Sequence, residues 1–263
     1  MRFLKDIQKY KNYIFYAGIA DLKAEVAGSY LSWLWWVIEP TCFMLIYTFV
    51  FGVVFGAKEE YFPIFVFIGI TMWNFFSNMC NYSVKAVKTN KSIVSKVYMP
   101  KYIMILSKMV TNGIKMLISF AIVAGMMVVW RVKVSVLLLC SIPVLFVFLF
   151  FTFGLCELLM HFGVYFTDLH KAIGIILKMV FYMTGIFYNV ESRIGVRYGI
   201  PFGTILTKIN PVALCLSSIR NVLLYKESPD VIWLFIWCLV GLLFAMAGTK
   251  LIYKNENSYV KMI

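Results

Sequence analysis

The side chains that could perform acid–base or metal chemistry are few and scattered in this chain. The two histidines, His161 and His170, flank Asp168, but Asp168 and His170 are two residues apart and would diverge on a helix. The sequence holds no recognisable Ser/His/Asp or Cys/His set, no pair of loop carboxylates suited to glycosyl transfer, and no G-x-x-x-x-G-K-[ST] phosphate loop. We therefore expect no catalytic residue, no metal site and no cofactor bound to this chain.

Ionisable side chains within long apolar runs form a second group of candidates, because a charge inside a bilayer is costly and marks a functional site. They are Glu39, Lys108, Lys115, Glu157 and Lys178. Lys115 lies two helical turns beyond Lys108, on the same face of a helix. A charged layer near the inner membrane boundary could admit an anionic group such as a pyrophosphate, for which Lys178 and Lys23 are the candidate cations. The alternative is that Lys108 pairs with Glu157 and that the lysines snorkel to the interface.

Aromatic side chains make up 18% of the sequence and could bind sugars, because their faces stack on pyranose rings without demanding one sugar. Trp33, Trp35 and Trp36 crowd the start of the first apolar run, and Trp73 and Phe76 lie within the second. The alternative is the interfacial aromatic belt that is common in membrane proteins. Trp73 lies deeper than Trp33 or Trp36 and therefore suits a channel better.

The composition is that of a membrane protein. The chain has 263 residues, of which 62% are hydrophobic and only 14% are charged, and its mean hydropathy is +0.85. The net charge of +13 is typical of cytoplasmic loops that face anionic lipid. Nucleic-acid binding is not expected, because no basic run is interleaved with stacking aromatic residues. The six cysteines show no Cys-x-x-Cys motif and are interpreted as small apolar residues.

Six apolar segments are long enough to cross a bilayer, which takes about 20 helical residues. They lie at 33–56, 62–83, 103–129, 134–160, 172–190 and 231–252. We therefore predict an all-α integral membrane protein in which residues 33–263 form a six-span domain. An even number of spans puts both termini on one side, and the lysine-rich, acid-free segment 84–102 favours that side as the cytoplasm.

Two further segments are amphipathic without being spans. Residues 1–32 repeat apolar side chains at helical spacing, which predicts an interfacial helix and the turn that leads into the first span; the alternative is a helix packed on protein. Residues 191–230 contain two apolar stretches broken at Asn210–Pro211, and neither stretch is long enough to cross. They predict an external re-entrant pair of helices, or alternatively an amphipathic pair lying flat.

A short basic stretch, KTNKSIVSKVYMPKY at 88–102, separates the second and third spans. Ser92 could cap a helix here and Pro100 could end it, which predicts a coupling helix at 88–100. An apolar face with a basic collar is typical of a docking element, and its partner must be a separate chain because no phosphate loop is present. The candidate docking residues are Lys91, Ser92, Ile93, Val94, Lys96, Val97 and Tyr98. The alternative is a basic loop held to anionic lipid.

Four stretches give the chain a resemblance to the permease subunits of ABC exporters that carry lipid-linked O-antigen, capsule or teichoic acid. They are GSYLSWLWWVIEP before the first span, NKSIVSKVYMPKYI in the basic loop, YFTDLHKAI before the fifth span, and INPVALCLSSIRNVLLY in the external segment. Two positions depart from the family pattern. Ser32 stands where the family has Gly, and Thr167 stands where it has Arg before Asp168.

The resemblance implies a homodimer that binds two ABC ATPase subunits, which would use ATP and Mg. It implies a polysaccharide channel between the permeases for an undecaprenyl pyrophosphate-linked glycan. The setting would be the bacterial cytoplasmic (inner) membrane, with lipid around a multi-pass chain and both termini cytoplasmic. The candidate channel residues are Trp33, Trp35, Trp36, Glu39, Trp73, Phe76, Lys178 and Arg220, of which Arg220 follows from the resemblance.

Two other functions remain open on the residues alone. One is an exporter of a drug or small lipid from the same permease superfamily. The other is a membrane-embedded enzyme of glycan assembly, which would need catalytic carboxylates or a histidine at the membrane face.

Overall fold

The computed structural model describes residues 2–57, 59–96, 98–196 and 200–261, and within these ranges the chain is helical without a β-strand. The helices are α1 (Arg2–Val26), α2 (Trp35–Tyr47), α3 (Phe62–Thr89), α4 (Lys91–Lys96), α5 (Tyr102–Val129), α6 (Ser141–Tyr165), α7 (Leu169–Met183), α8 (Val190–Ile194), α9 (Phe202–Ile209), α10 (Pro211–Arg220), α11 (Val231–Lys254) and α12 (Glu256–Lys261). Short 3₁₀ turns lead into α2 and α6, and π-helical turns extend α2 and α10. The prediction of an all-α membrane protein is confirmed.

Five helical segments within the described residues are long and apolar enough to cross a membrane. They are Ser32–Val54, Phe62–Thr89, Tyr102–Val129, Val136–Tyr165 and Val231–Lys254. A sixth crossing is possible if α9 and α10 count as one broken span, since the pair is bent by 105°. The break predicted at Asn210–Pro211 lies at this bend. The Asn210 side chain caps α10 there by accepting hydrogen bonds from the N–H groups of Val212 (3.0 Å) and Ala213 (3.3 Å).

The segment predicted as the fifth span is shorter than expected. Helix α7 has 15 residues, or about 22 Å, against a hydrocarbon thickness of about 30 Å. It ends at Met183 rather than near residue 190, because Gly185 has a φ of +73° and turns the chain. A Cβ at Gly185 would lie 2.4 Å from the side chain of Val190, so the turn requires glycine on steric grounds as well.

Helix α3 is the centre of the bundle. Most of its length is buried, and it contacts α2, α5, α6, α7 and α10. The most extensive pairing is between α6 and α11, which approach closely at glycine. A Cβ at Gly154 would lie 2.7 Å from the backbone of Ala245 and of Gly241. Small residues drive such pairing in lipid, because apolar bulk alone gives no advantage over lipid tails.

Both ends of the chain lie together at one end of the bundle, which we call the terminal end. The ring of Phe3 packs on the ring of Tyr102, at the start of α5, with the ring centres 5.1 Å apart. The His161 Nδ1, near the end of α6, is 2.6 Å from the Tyr259 hydroxyl in α12. The terminal end therefore also contains the basic segment between α3 and α5.

Helix α1 lies along α5. It combines the two interpretations of residues 1–32, which were an interfacial helix and a helix packed on protein. One face, with Ile14, Gly18 and Leu22, is buried against protein. The opposite side exposes Phe15 and Tyr16, which leaves apolar surface for a membrane interface.

Replacing Gly154 with alanine should lower the stability of the protein by about 1–3 kcal/mol, because the added Cβ would force α6 away from α11. The matched control is Gly125→Ala on α5, where a Cβ meets nothing within 4 Å and alanine favours the helix. Thermal unfolding of the purified proteins in detergent measures both. Equal melting temperatures for the two variants would contradict the close packing of α6 and α11.

Candidate transport site and docking segment

A cavity of about 290 Å³ lies between α2, α3 and α5, and we call it the polar cavity. Its neutral polar lining consists of Thr71, Asn74, Asn78, Asn112 and Ser119. Its aromatic lining includes Trp36, Tyr47, Trp73 and Phe181, and its charged side chains are Glu39 and Lys115. Amides and hydroxyls both donate and accept hydrogen bonds, so the cavity suits a neutral ligand rich in hydroxyl groups.

Helix α3 supplies the polar wall of this cavity. Asn74 and Asn78 are one turn apart, and both are exposed on a helix whose neighbouring residues are mostly buried. One turn earlier, Thr71 Oγ1 is buried and has no hydrogen-bond partner among the described residues. A buried hydroxyl without a partner is unfavourable by about 1–3 kcal/mol, so the polar wall includes a group that the fold itself does not use.

Helix α2 supplies the opposite wall, where two predicted channel residues lie. Trp36 and Glu39 line the cavity beside Pro40, which interrupts the hydrogen bonding of α2. On the α5 side, Lys115 forms an ion pair with Glu25 of α1, and its Nζ is 6.0 Å from the centre of the Trp36 ring. Trp73 of α3 also lines the cavity.

The alternative in which Lys108 pairs with Glu157 is wrong. Lys108 Nζ lies 3.3 Å from Asp21 and 3.4 Å from Glu25, both on α1, because α1 packs along α5. Glu157 faces α11 instead. Its carboxylate accepts a hydrogen bond of 3.0 Å from the Thr249 hydroxyl, where Gly248 leaves room.

Several predicted channel residues lie outside the polar cavity. Trp33, in the turn before α2, and Trp35, at the start of α2, are exposed, and Trp35 Nε1 donates to Ser29 Oγ at 3.1 Å. Phe76 is buried on the other side of α3, behind Trp73. Lys178 on α7 and Lys23 on α1 are exposed and do not line this cavity.

Arg220 is not placed to contact a substrate, which corrects its assignment to the channel. Its side chain is only 4% exposed, and its guanidinium donates hydrogen bonds of 2.8 Å to the carbonyls of Phe65, Gly185 and Ile186. The guanidinium carbon also lies 3.3 Å from the centre of the Phe65 ring. Gly69 makes space for it, since a Cβ there would lie 2.7 Å from Nη2. Arg220 therefore holds α10 to α3 and to the turn after α7.

The neutral polar residues of the cavity were not among the candidates predicted from the sequence, which were charged or aromatic. A signal was present, because Asn74 and Asn78 are spaced i, i+4 within an apolar run and therefore share one face of the helix. Thr71 precedes Asn74 by three residues and continues that face.

The docking segment is shorter than the predicted helix at 88–100. Helix α3 continues to Thr89, and α4 occupies only Lys91–Lys96. The Asn90 side chain ends α3 by donating to the Ala86 carbonyl at 2.8 Å, and the Asn90 backbone carbonyl accepts from the N–H of Ile93. Ser92 therefore lies inside α4 and does not cap it, and the chain after Lys96 is no longer helical by Pro100.

The apolar docking residues do not form one exposed face. Ile93 is 37% exposed, whereas Val94 points into the core and is buried. Lys91 and Lys96 are exposed beside them, and Val97 lies outside the described residues. Ile93 with its neighbouring lysines is therefore the surface that a partner could contact.

Tyr98 ties the docking segment to both ends of the chain. Arg2 Nη2 donates to the Tyr98 hydroxyl at 2.8 Å, and that hydroxyl donates to Glu256 at 3.0 Å. Next to it, Asp6 accepts hydrogen bonds from the hydroxyls of Tyr102 (3.1 Å) and Tyr253 (2.7 Å). We call this cluster the terminal clasp, and its members are Arg2, Asp6, Tyr98, Tyr102, Tyr253 and Glu256.

Lys101 lies directly beneath the clasp. It is buried, its Nζ donates to the Met99 carbonyl at 3.2 Å, and burial lowers the pKa of its ammonium group. The segment between α4 and α5 is therefore anchored on both its exposed and its buried side.

The described residues contain no group of three or more His, Cys, Asp or Glu side chains that could hold a metal ion. All six cysteines are free. Cys80, Cys156 and Cys215 are buried as expected for small apolar residues, whereas Cys42 is exposed.

Three curated relatives align with most or all of the chain. An O-antigen export system permease protein of Myxococcus xanthus is 23% identical over 269 residues, which cover 100% of both chains. Two O-antigen export system permease proteins of Klebsiella pneumoniae are 24% and 26% identical and cover 92% and 84% of this chain. No family model matches. The relatives confirm the predicted resemblance to the ABC-2 type permeases of O-antigen exporters.

Replacing Arg220 with methionine should lower the stability of the protein by about 3 kcal/mol or more, because three buried carbonyls would lose their donor. Arg193→Met, at an exposed position of α8, is the matched control and should be nearly neutral. Thermal unfolding of the purified variants provides the comparison. If Arg220→Met were as stable as the parent but failed in transport, the channel assignment would be restored.

Proposed function

We propose that this chain is the channel-forming subunit of an ATP-driven exporter that moves a lipid-linked polysaccharide across the bacterial cytoplasmic membrane. The chain is similar to the permeases of O-antigen exporters over most of its length; the proposal adds the substrate, the partners and the orientation. The substrate would be an undecaprenyl pyrophosphate-linked glycan such as O-antigen or teichoic acid.

The polar cavity is the observation that carries this proposal. A lipid-solvated bundle has no structural need for two exposed asparagines, an unpartnered threonine hydroxyl and a tryptophan around one space. These groups together match a sugar, whose hydroxyls need both donors and acceptors and whose ring faces are apolar. A drug or small lipid would favour a mainly apolar pocket.

The same cavity argues against an enzyme of glycan assembly. Transfer or hydrolysis of a glycosidic bond commonly uses two carboxyl groups that flank the bond. Among the described residues, Glu39 is the only carboxylate that lines the polar cavity. The wall opposite it consists of asparagine, threonine and lysine side chains, which supports binding and passage rather than bond cleavage.

Energy for transport would come from separate ATPase subunits that bind ATP and Mg, two of them on a permease homodimer. The exposed Ile93 with Lys91 and Lys96 is the proposed docking surface. The terminal clasp joins this surface to α1 and α12 through Tyr98, so displacement of α4 would be passed to both ends of the chain. Basic side chains at the terminal end support a cytoplasmic location for both termini.

Replacing Asn74 and Asn78 together with leucine should reduce polysaccharide export about ten- to a hundredfold, since two lost hydrogen bonds cost about 1 kcal/mol each and leave sugar hydroxyls unpaired. The matched control is Asn81→Leu on the same helix, which bonds its own backbone at Ser77 and does not line the cavity. Surface polysaccharide is measured at equal membrane abundance of each permease. Normal export by the double variant would refute a sugar path through the polar cavity.

Replacing Ile93 with aspartate should uncouple ATP hydrolysis from export, because a charge would replace the apolar contact at the docking surface. Ile93→Leu keeps that contact and should behave like the parent. Co-purification of the ATPase subunits and permease-dependent ATP hydrolysis report the effect. Unchanged coupling in the aspartate variant would place the ATPase contact elsewhere.

A further inference from the structure

A second cavity, of about 370 Å³, lies at the terminal end of the bundle, where the last turns of α3 meet the end of α6 and the start of α7. Its basic lining consists of Lys85, Lys88 and His170, and Thr89 and Thr167 add hydroxyl groups. The three α3 residues share one side of that helix, because they are spaced three and four positions apart. We call this cavity the basic pocket.

The floor of the basic pocket is a close crossing of two helices. A Cβ at Gly163 of α6 would overlap the backbone carbonyl of Val84 on α3, so glycine is required for this approach. Beyond the crossing, α6 ends at Tyr165 and α7 begins at Leu169. This short turn brings His170, in the first turn of α7, to the wall opposite the α3 lysines.

The positive charge of the basic pocket is not neutralised by the part of the chain that the structure describes. Among those residues, Lys85 and Lys88 have no ion-pair partner and His170 has no hydrogen-bond partner. Asp168, two residues before His170, does not line the pocket and pairs with Lys171 at 3.7 Å. An anion with several acceptor oxygens would find two ammonium groups and two hydroxyl donors here. The pocket therefore fits a phosphate group.

The basic pocket lies at the depth of the lipid headgroups. Residues 62–84 of α3 carry no charge and are about 34 Å long, which is enough to cross a hydrocarbon layer of about 30 Å. Lys85 and the residues after it therefore project into the headgroup layer. At the end of α6, the exposed rings of Phe162 and Phe166 are typical of the same membrane interface. A phosphate that reaches the pocket at this depth would belong to a lipid of the bilayer.

We propose that the basic pocket binds the phosphate of an anionic bilayer lipid, such as phosphatidylglycerol. The proposal goes beyond the transport function and does not depend on the identity of the transported substrate. Basic pockets between membrane helices favour anionic headgroups, because charge attraction adds to the anchoring of the acyl chains in the bilayer. The bound phosphate would join the end of α3 to the first turn of α7. It would also lie next to the docking segment, since Thr89 is followed directly by Asn90 and α4.

The test measures which lipid the purified full-length permease retains from micelles that contain equal amounts of phosphatidylglycerol and phosphatidylcholine. Native mass spectrometry should show that the parent prefers phosphatidylglycerol. Lys85→Gln combined with Lys88→Gln should weaken this binding about ten- to thirtyfold, since each lysine near the surface contributes about a factor of five. The matched control is Lys5→Gln combined with Lys9→Gln, which removes the same charge from exposed positions of α1 outside the pocket. Equal binding in the two double variants would overturn the proposal.

A second pair of variants covers the case in which the lysine variant fails to fold, as judged by size-exclusion chromatography. Thr167→Glu places a carboxylate in the pocket and should also weaken phosphatidylglycerol binding, whereas Thr167→Ser keeps the hydroxyl and should behave like the parent. Binding that is the same in both would count against the pocket.

Three other results would also overturn the proposal. Equal retention of the two lipids by the parent would show ordinary lipid at this surface. Displacement by inorganic phosphate, beyond that by chloride of the same ionic strength, would show a site for a free anion. Preference for a polyprenyl diphosphate over phosphatidylglycerol at equal concentrations would assign the pocket to the transported substrate. The assay contains neither ATPase nor glycan, so its outcome is independent of the export experiments.

Discussion

A polar group within a lipid bilayer has to find its partner inside the protein, and the arrangement of this bundle depends on that requirement. Arg220 satisfies three backbone carbonyls and so fixes α10 against α3 and the turn after α7. Glu157 joins α6 to α11 through Thr249, and Lys108 joins α5 to α1. Apolar packing alone would not fix these positions, because lipid competes equally for apolar surface.

The polar groups around the polar cavity are an exception to this pairing, and the exception suggests a function. The side chains of Asn74 and Asn78 are exposed, and Thr71 is buried without a partner, although each could have been apolar at no cost to the fold. Helix α3 presents these polar groups on one side and the apolar side chain of Phe76 on the other.

Hydropathy and turn chemistry predicted the long spans and the break at Asn210–Pro211, because lipid as solvent and the cap of α10 are local properties of the chain. Contacts across the bundle could not be predicted in the same way. Hydropathy reports depth in the membrane but not the direction of a side chain, so it could not show that Lys108 pairs with α1 or that Arg220 is buried against backbone carbonyls. The terminal clasp through Tyr98 joins residues far apart in sequence, and nothing in the sequence indicated it.

The most direct measurement of the central claim is the access of water and substrate to position 78 during transport. In a permease whose six cysteines are replaced by alanine or serine, Asn78→Cys should react with a charged, membrane-impermeant maleimide in the working exporter. Lipid-linked substrate should slow that reaction, and Asn81→Cys should stay unreactive. Reaction of position 78 only with a lipid-soluble maleimide, with or without substrate, would contradict a polysaccharide path through the polar cavity.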